Sequence, residues 1–174
     1  RKWLQEGWID YVAPQLYWSM GYRLASFDKL IDWWSDNTYG RHLYVGQAPY
    51  RAFEPHSYAF RHATELPNEI RYLRDNDRVQ GSVFFSANSL MKDPLGFTDS
   101  LRTDFYKYPA LPPAMEWLDS IAPKPPKSLI AKVNLKSVSL SWQTPDTAED
   151  KQVAYGYVIY RFNVTDTVNL DDPK

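Results

Sequence analysis

The spacing of hydrophobic positions changes once along the chain. Residues 8–14 (Trp8-Ile9-Asp10-Tyr11-Val12-Ala13-Pro14) are mostly apolar with little polar alternation, the mark of a strand buried on both faces of a parallel sheet. Apolar residues at 27, 30, 31, 33 and 34 follow a helical stripe, with Ser26 or Asp28 at its start. His42-Leu43-Tyr44-Val45-Gly46-Gln47 reads as a second strand. Thr64 is an N-cap candidate for a helix over 64–76, and Pro67 is tolerated in its first turn. Residues 79–85 read as a third strand and 99–105 as a third helix. Three successive strand–helix units imply a parallel α/β sheet with right-handed crossovers.

Beyond Ala122-Pro123-Lys124-Pro125-Pro126-Lys127 the period becomes two. The prolines there fix φ and remove donors, which predicts a stiff extended linker over 123–127. After it, Val138, Leu140 and Trp142 alternate with Ser137, Ser139 and Ser141, and residues 155–160 alternate likewise. That pattern predicts a small antiparallel β-domain over 128–174, one face toward water. It is thin for an independent core.

Composition sharpens this division. Aromatic residues are 16% of the 174; 23 lie in residues 1–122 and 5 in the remainder, so the first region is the more aromatic. The net charge is −1, which supplies no basic field for nucleic acid or anionic lipid. No run of about 18 apolar residues could span a bilayer. There is no cysteine, which excludes disulfides and thiolate metal sites and leaves the compartment open. The chain shows no signal peptide at Arg1 and opens on an amphipathic stretch, as if cut from something longer.

Parallel α/β folds place their sites at the carboxyl ends of the strands. Here those ends read Pro14-Gln15-Leu16-Tyr17-Trp18, Gly46-Gln47-Ala48-Pro49-Tyr50-Arg51 and Phe84-Phe85-Ser86-Ala87-Asn88. Amides and an arginine can hydrogen-bond hydroxyls while Tyr and Trp faces stack on a pyranose, so Gln15, Tyr17, Trp18, Gln47, Tyr50 and Arg51 form a candidate sugar wall. The alternative is that Gln15 and Gln47 only satisfy loop backbone groups. Asn88 is a weaker member. So is His56, in a strand-to-helix segment (48–63) of a length that usually serves a site; a solvated loop histidine is the competing reading. Asp10 lies near the start of its strand, roughly 20 Å from these ends at about 3.3 Å per residue, and reads as structural. Glycoside hydrolysis ordinarily needs two carboxylates flanking the bond, and no such pair sits at the three strand ends. Neither a metal-ligand spacing, a nucleophile elbow, a phosphate loop nor a dinucleotide fingerprint is present. No cofactor is called for, and the catalytic residues are unassigned.

The run Gly7-Trp8-Ile9-Asp10-Tyr11-Val12-Ala13-Pro14-Gln15-Leu16-Tyr17-Trp18, with Trp33-Trp34, Leu43-Tyr44-Val45-Gly46-Gln47-Ala48, Gly81-Ser82-Val83-Phe84-Phe85-Ser86 and Pro109-Ala110-Leu111, resembles the glycosyl-hydrolase-like family ten. The blocks cover about residues 1–120. The resemblance implies a (β/α)8 barrel whose last three βα units lie in residues 1–122, a carbohydrate substrate, and a bacterial secreted, periplasmic or surface location. That family's Asp-Asp-Tyr run has no counterpart here, which puts the catalytic acids upstream of this chain. Leu140-Ser141-Trp142 followed by Gly156-Tyr157-Val158-Ile159-Tyr160-Arg161 resembles the opening strands of a fibronectin type III domain, so 128–174 would be a partial β-sandwich. Open sheet edges would then need another chain, a swapped dimer or further parent sequence to cover them. The reading is a glycoside hydrolase represented by its C-terminal part and inactive alone; the rivals are a non-catalytic carbohydrate-binding module and a protein-interaction module.

Overall fold

A computed structural model describes residues 1–165 and 167. Contacts divide the chain into two units, Arg1–Pro113 and the residues from Ala114 on.

The first unit opens with the single turn α1 (Lys2–Gln5) and strand β1 (Tyr11–Val12), followed by α2 (Phe27–Ser35) and β2 (His42–Gln47). Then come α3 (Glu65–Arg74), β3 (Val79–Phe84), α4 (Ala87–Met91) and α5 (Phe97–Ser100). The strands pair in parallel in the order β1-β2-β3. Tyr11 lies opposite His42, and Val45 and Gln47 lie opposite Ser82 and Phe84, with a register shift between Leu43 and Tyr44. This is a mixed helix–strand unit built on a three-stranded parallel sheet.

Helix α2 buries Phe27 and Ile31 and turns Leu30 and Trp34 inward. These positions repeat at three and four residues, one face of a 3.6-residue helix. They close on Leu16, Leu43, Val45 and Leu73 to form one core. A second core joins Leu66 and Ile70 of α3 to Phe60, Phe97, Leu101 and Phe105. Tyr72 of α3 donates its hydroxyl to Asp32 Oδ1 of α2 at 2.7 Å; burial, with the Asp32 bond and charge added, pushes its pKa up to about 12.

Three elements differ from the pattern reading. The first strand is short because Pro14 brings no N–H to the ladder; pairing resumes as a single bridge between Gln15 and Gly46. The third helix begins earlier than expected, at Phe97 after Gly96 in a left-handed conformation, and continues as a π-helical turn, Leu101–Phe105. That turn is held because Arg74 donates to the Phe105 carbonyl and the Arg71 and Arg74 guanidinia stack on the Phe105 ring at 5.1 and 5.3 Å. Helix α4 lies between the third strand and third helix of the pattern, where no element is predicted; its five residues are too few to show a period.

The sheet has two unlike faces. Leu43, Val45 and Gln47 are buried on the helix side, whereas Tyr11, Val83 and Phe85 are 55%, 48% and 58% exposed. A parallel sheet ordinarily has both faces covered. No helix of the described residues is long and apolar enough to cross a membrane.

In the second unit, β4 (Lys127–Asn134) and β5 (Ser137–Gln143) form an antiparallel hairpin. Ala131 faces Leu140 and Val133 faces Val138, while Lys132 faces Ser139. One surface is therefore apolar and the other polar, as the two-residue period predicts. Strand β4 begins at Lys127, the last residue assigned to the linker; residues 120–126 carry no regular structure. Residues 155–160, whose alternation predicts a strand, join no ladder. They touch the hairpin through Tyr157, whose ring meets Trp142 edge-on at 5.1 Å.

Candidate functional site

The carboxyl ends of β1, β2 and β3 converge on three aromatic rings. Tyr17 follows the Gln15 bridge, Tyr50 follows β2, and Phe85 follows β3. The Tyr17 and Tyr50 centroids are 6.0 Å apart at 81°, Tyr50 and Phe85 6.1 Å at 84°, and Tyr17 and Phe85 6.3 Å at 29°. Edge and offset contacts of this kind suit the aromatic quadrupole. Burial, with the Tyr50 hydroxyl nearby, raises the Tyr17 pKa, so its phenol stays neutral and able to donate.

Gly46 is what allows β1 to reach this point. Its N–H donates to the Pro14 carbonyl at 2.8 Å and its carbonyl accepts from Leu16 N–H at 2.9 Å. A Cβ there would lie 2.9 Å from the Pro14 oxygen and 3.2 Å from the Gln15 Cα. Only glycine tolerates so close a backbone approach. Phe85 is placed from the other side, its N–H donating to the Gln47 carbonyl at 3.0 Å. The Phe85–Ser86 peptide is cis.

Arg51 fastens the loops around the rings. Its Nη1 donates to the Tyr17 carbonyl, its Nε is 3.1 Å from both Glu54 Oε2 and Ser57 Oγ, and its guanidinium lies over the Phe60 ring at 5.3 Å. Ser57 donates to Glu54 Oε2 at 2.7 Å, and Glu65 Oε1 accepts the Met20 N–H at 2.7 Å. The long segment after β2 is thereby shaped into two short 3-10 turns, Pro49–Phe53 and Ala59–Arg61.

Beneath the rings, Gln47 is fully buried and donates Nε2–H to Glu69 Oε2 of α3 at 2.9 Å. Glu69 is also fully buried, and the second oxygen of each group has no hydrogen-bond partner among the described residues. Burial drives the Glu69 pKa well above the usual carboxylate range; the Gln47 bond opposes this, Glu65 adds to it, and Arg51 opposes it. A neutral Glu69 can return a hydrogen bond to Gln47, which a carboxylate cannot.

The residues expected in the wall therefore fall into distinct places. Tyr17 and Tyr50 stand in the aromatic cluster, and Trp18, Arg51 and His56 line the cleft beside it. Gln15 is exposed next to Gly46. The Gln47 side chain faces the helices, and Asn88 is exposed on α4, outside both the ring cluster and the cleft lining. Asp10 acts through its carbonyl, which accepts His42 N–H at 3.2 Å. Phe85 and Glu69 were not singled out. Phe85 could have been: Phe84 packs on Phe97, so its neighbour must face the other way. The signal for Glu69 is an acid on the stripe Leu66, Ile70, Leu73.

Glu54, Glu65 and Glu69 are the acids on the segment from β2 through α3, and each is committed: to Arg51, to the Met20 amide and to Gln47. Among the described residues no group of three His, Asp or Glu could hold a metal ion. What the site offers is an aromatic surface edged by hydrogen-bonding loops.

Comparison with known proteins bears on this arrangement. Residues 1–62, which carry β1, α2, β2 and the Tyr17–Tyr50 contact, match the family described as Glycosyl hydrolase-like 10. Over these residues the chain is similar to that family. The chain is 44% identical over 169 residues to Glycosyl hydrolase YngK of Bacillus subtilis (strain 168), covering 92% of this chain and 32% of that protein. It is 40% identical over 57 residues to Glycosyl hydrolase DigH of Escherichia coli (strain K12), covering 32% of this chain and 13% of that protein. The chain thus spans about a third of the length of YngK. The Gly46-Gln47-Ala48 turn and the Tyr17 and Tyr50 rings all fall within the matched residues.

Proposed function

We propose that this chain forms part of a glycoside hydrolase, supplying three βα units of a (β/α)8 barrel and one wall of its sugar site. The observation that carries the reading is the convergence of Tyr17, Tyr50 and Phe85 from three adjacent strand ends. Aromatic faces at the carboxyl edge of a parallel sheet suit stacking on a pyranose, and net charge −1 gives no pull toward polyphosphate. The family match over residues 1–62 and the names of the relatives agree with it. The exposed Tyr11 and Val83 favour further strands of a longer polypeptide, or another chain, across the open sheet face. The amphipathic hairpin β4–β5 and the Trp142–Tyr157 contact support a fibronectin type III-like start to the second unit. A bacterial secreted, periplasmic or surface-attached protein is the setting this reading gives.

A non-catalytic carbohydrate-binding role for the chain itself has its own support. Each acid of the β2–α3 segment is already engaged, and hydrolysis needs two carboxylates free to flank the bond. Both readings are tested by reducing-end release from a panel of bacterial and host glycans. The assay compares this chain with the complete protein carrying it. Cleavage by the complete protein and not by this chain supports a hydrolase whose acids lie elsewhere. Cleavage by this chain alone refutes the partial-site reading, and no cleavage by either moves the binding role to first place.

A further inference from the structure

All three rings of the strand-end cluster depend on two residues of β2, Gly46 and Gln47. The Gly46 carbonyl accepts the Leu16 N–H at 2.9 Å and fixes the stretch that carries Tyr17. The Gln47 carbonyl accepts the Phe85 N–H at 3.0 Å, and Tyr50 follows directly along the chain after Ala48 and Pro49. Gly46 has no side chain, so the Gln47 amide is what ties this pair of residues to the helix layer. It donates to Glu69 Oε2 at 2.9 Å, and both side chains are fully buried. Gln47 Oε1 and Glu69 Oε1 have no hydrogen-bond partner among the described residues. A buried carboxylate with one hydrogen bond and no ion-pair partner is costly, whereas a protonated acid can return its O–H to the amide. The two groups thus complement each other in one protonation state only. Glu65, one turn earlier on α3, and Arg51, from the loop after β2, are the charges that bear on Glu69. Charges on the other elements packed against α3 turn elsewhere: Asp28 toward Ser26, Asp32 toward Tyr72, Asp99 toward Arg102 and Arg61 over Tyr58. Lys29 and His62 are exposed, and β3 carries no titratable side chain.

Resting on the carbohydrate reading above, we infer that Glu69 is a positioning residue for the sugar site: while protonated it holds Tyr17, Tyr50 and Phe85 in register through Gln47, and on ionising it releases them. Ionisation removes the returned O–H bond and puts a charge where no water reaches. Arg51 is not free to neutralise it, because its donors are committed to Tyr17, Glu54 and Ser57. The relief open to the chain is to part α3 from the end of β2 and hydrate the carboxylate, which moves the backbone at Gly46 and Gln47. A ligand that needs the registered rings binds the protonated form, so affinity is full on the acid side and falls as pH rises.

The test compares the complete protein with its Glu69→Gln variant between pH 6 and 9, by hydrogen exchange and by calorimetric titration with cellohexaose and chitohexaose. Glu69→Gln keeps the shape, cannot ionise, and cancels the base catalysis of exchange common to both proteins. Relative to the variant, wild-type protection of the Leu16 and Phe85 amides should fall with pH, by at most about tenfold per pH unit. Protection of the His42 amide, bonded to the Asp10 carbonyl at the far end of the same sheet, should not. Sugar affinity should follow the strand-end amides in wild type and stay flat in Glu69→Gln. A wild-type-to-variant ratio that is constant with pH overturns the inference. So does a ratio that changes equally at His42, since Glu69 would then only stabilise the fold. Local exchange that responds while sugar affinity does not overturns the positioning role and leaves the carbohydrate reading standing. Failure of both sugars to bind at any pH, with the strand-end amides still responding, counts against the carbohydrate reading and leaves Glu69 in control of the rings.

Discussion

Glu69 gives the sharpest test of how the site is held. Its carboxyl is fully buried and bonded to Gln47 at 2.9 Å, and no cation lies close enough to form an ion pair with it among the described residues. Its pKa is raised in the folded chain, so between the unfolded pKa and the folded one the native state binds more protons than the unfolded state. Stability contributed by neutral Glu69 is fully present below the unfolded pKa, near 4.3, and is lost as pH rises through the folded value. The loss is at most about 1.4 kcal/mol per pH unit. Glu69→Gln removes the titration and keeps the shape, and its amide can donate to the Gln47 oxygen that now lacks a partner. Glu69→Ala instead leaves a buried amide unpaired and a cavity beside it, a cost of about 3 kcal/mol. Urea unfolding of the complete protein at pH 5, 6.5 and 8, followed by tryptophan fluorescence, reads all three forms. Because other titrating groups are common to wild type and Glu69→Gln, their difference isolates Glu69. It should move in favour of Glu69→Gln as pH rises. A difference independent of pH, or one that moves toward wild type, refutes the argument.

Two further substitutions test the geometry around the rings. Gly46→Ala forces a Cβ to within 2.9 Å of the Pro14 carbonyl; it should cost about 1–3 kcal/mol in the same unfolding assay and speed hydrogen exchange at the Leu16 amide, which bonds to Gly46. Arg51→Lys keeps the charge and loses the fork that joins Tyr17, Glu54 and Ser57. Oligosaccharide affinity should fall about tenfold with little change in stability, as measured by titration and by unfolding of the same preparation.

The parallel sheet was legible because its strands are short apolar runs separated by a helical stripe, and β2 follows its run from His42 to Gln47 without a break. The limits of β1 were less so: apolar character continues through Pro14, but the ladder depends on an N–H that proline lacks. Strand polarity alone directed attention to Tyr17 and Tyr50, since a site at the carboxyl ends follows from topology. Gln47 shows where such reasoning stops. Its position at a strand end is readable, but whether its amide faces the site or the helices depends on the phase of the two-residue alternation. Leu43 and Val45 set that phase: both are in the helix-side core, so residue 47 must follow them inward.

That inward amide also explains why an acid is tolerated on the apolar stripe of α3. A polar side chain entering the helix–sheet interface needs a partner, since burial without one costs about 1–3 kcal/mol. Leu66, Ile70 and Leu73 fix the face of α3 that meets the sheet, and residue 69 is the position on that face within reach of Gln47. The pair therefore registers α3 against the end of β2. The next residues of the chain, Pro49, Tyr50 and Arg51, begin the loop that carries the aromatic cluster and pins the Tyr17 carbonyl. A neutral acid–amide lock below the strand end and a charged clamp above it act on the same short stretch of backbone. The first has no access to solvent, and the second is partly exposed. Salt should then loosen the Arg51–Glu54 clamp and leave the Gln47–Glu69 lock untouched, which separates the loop's mobility from the stability of the sheet beneath it.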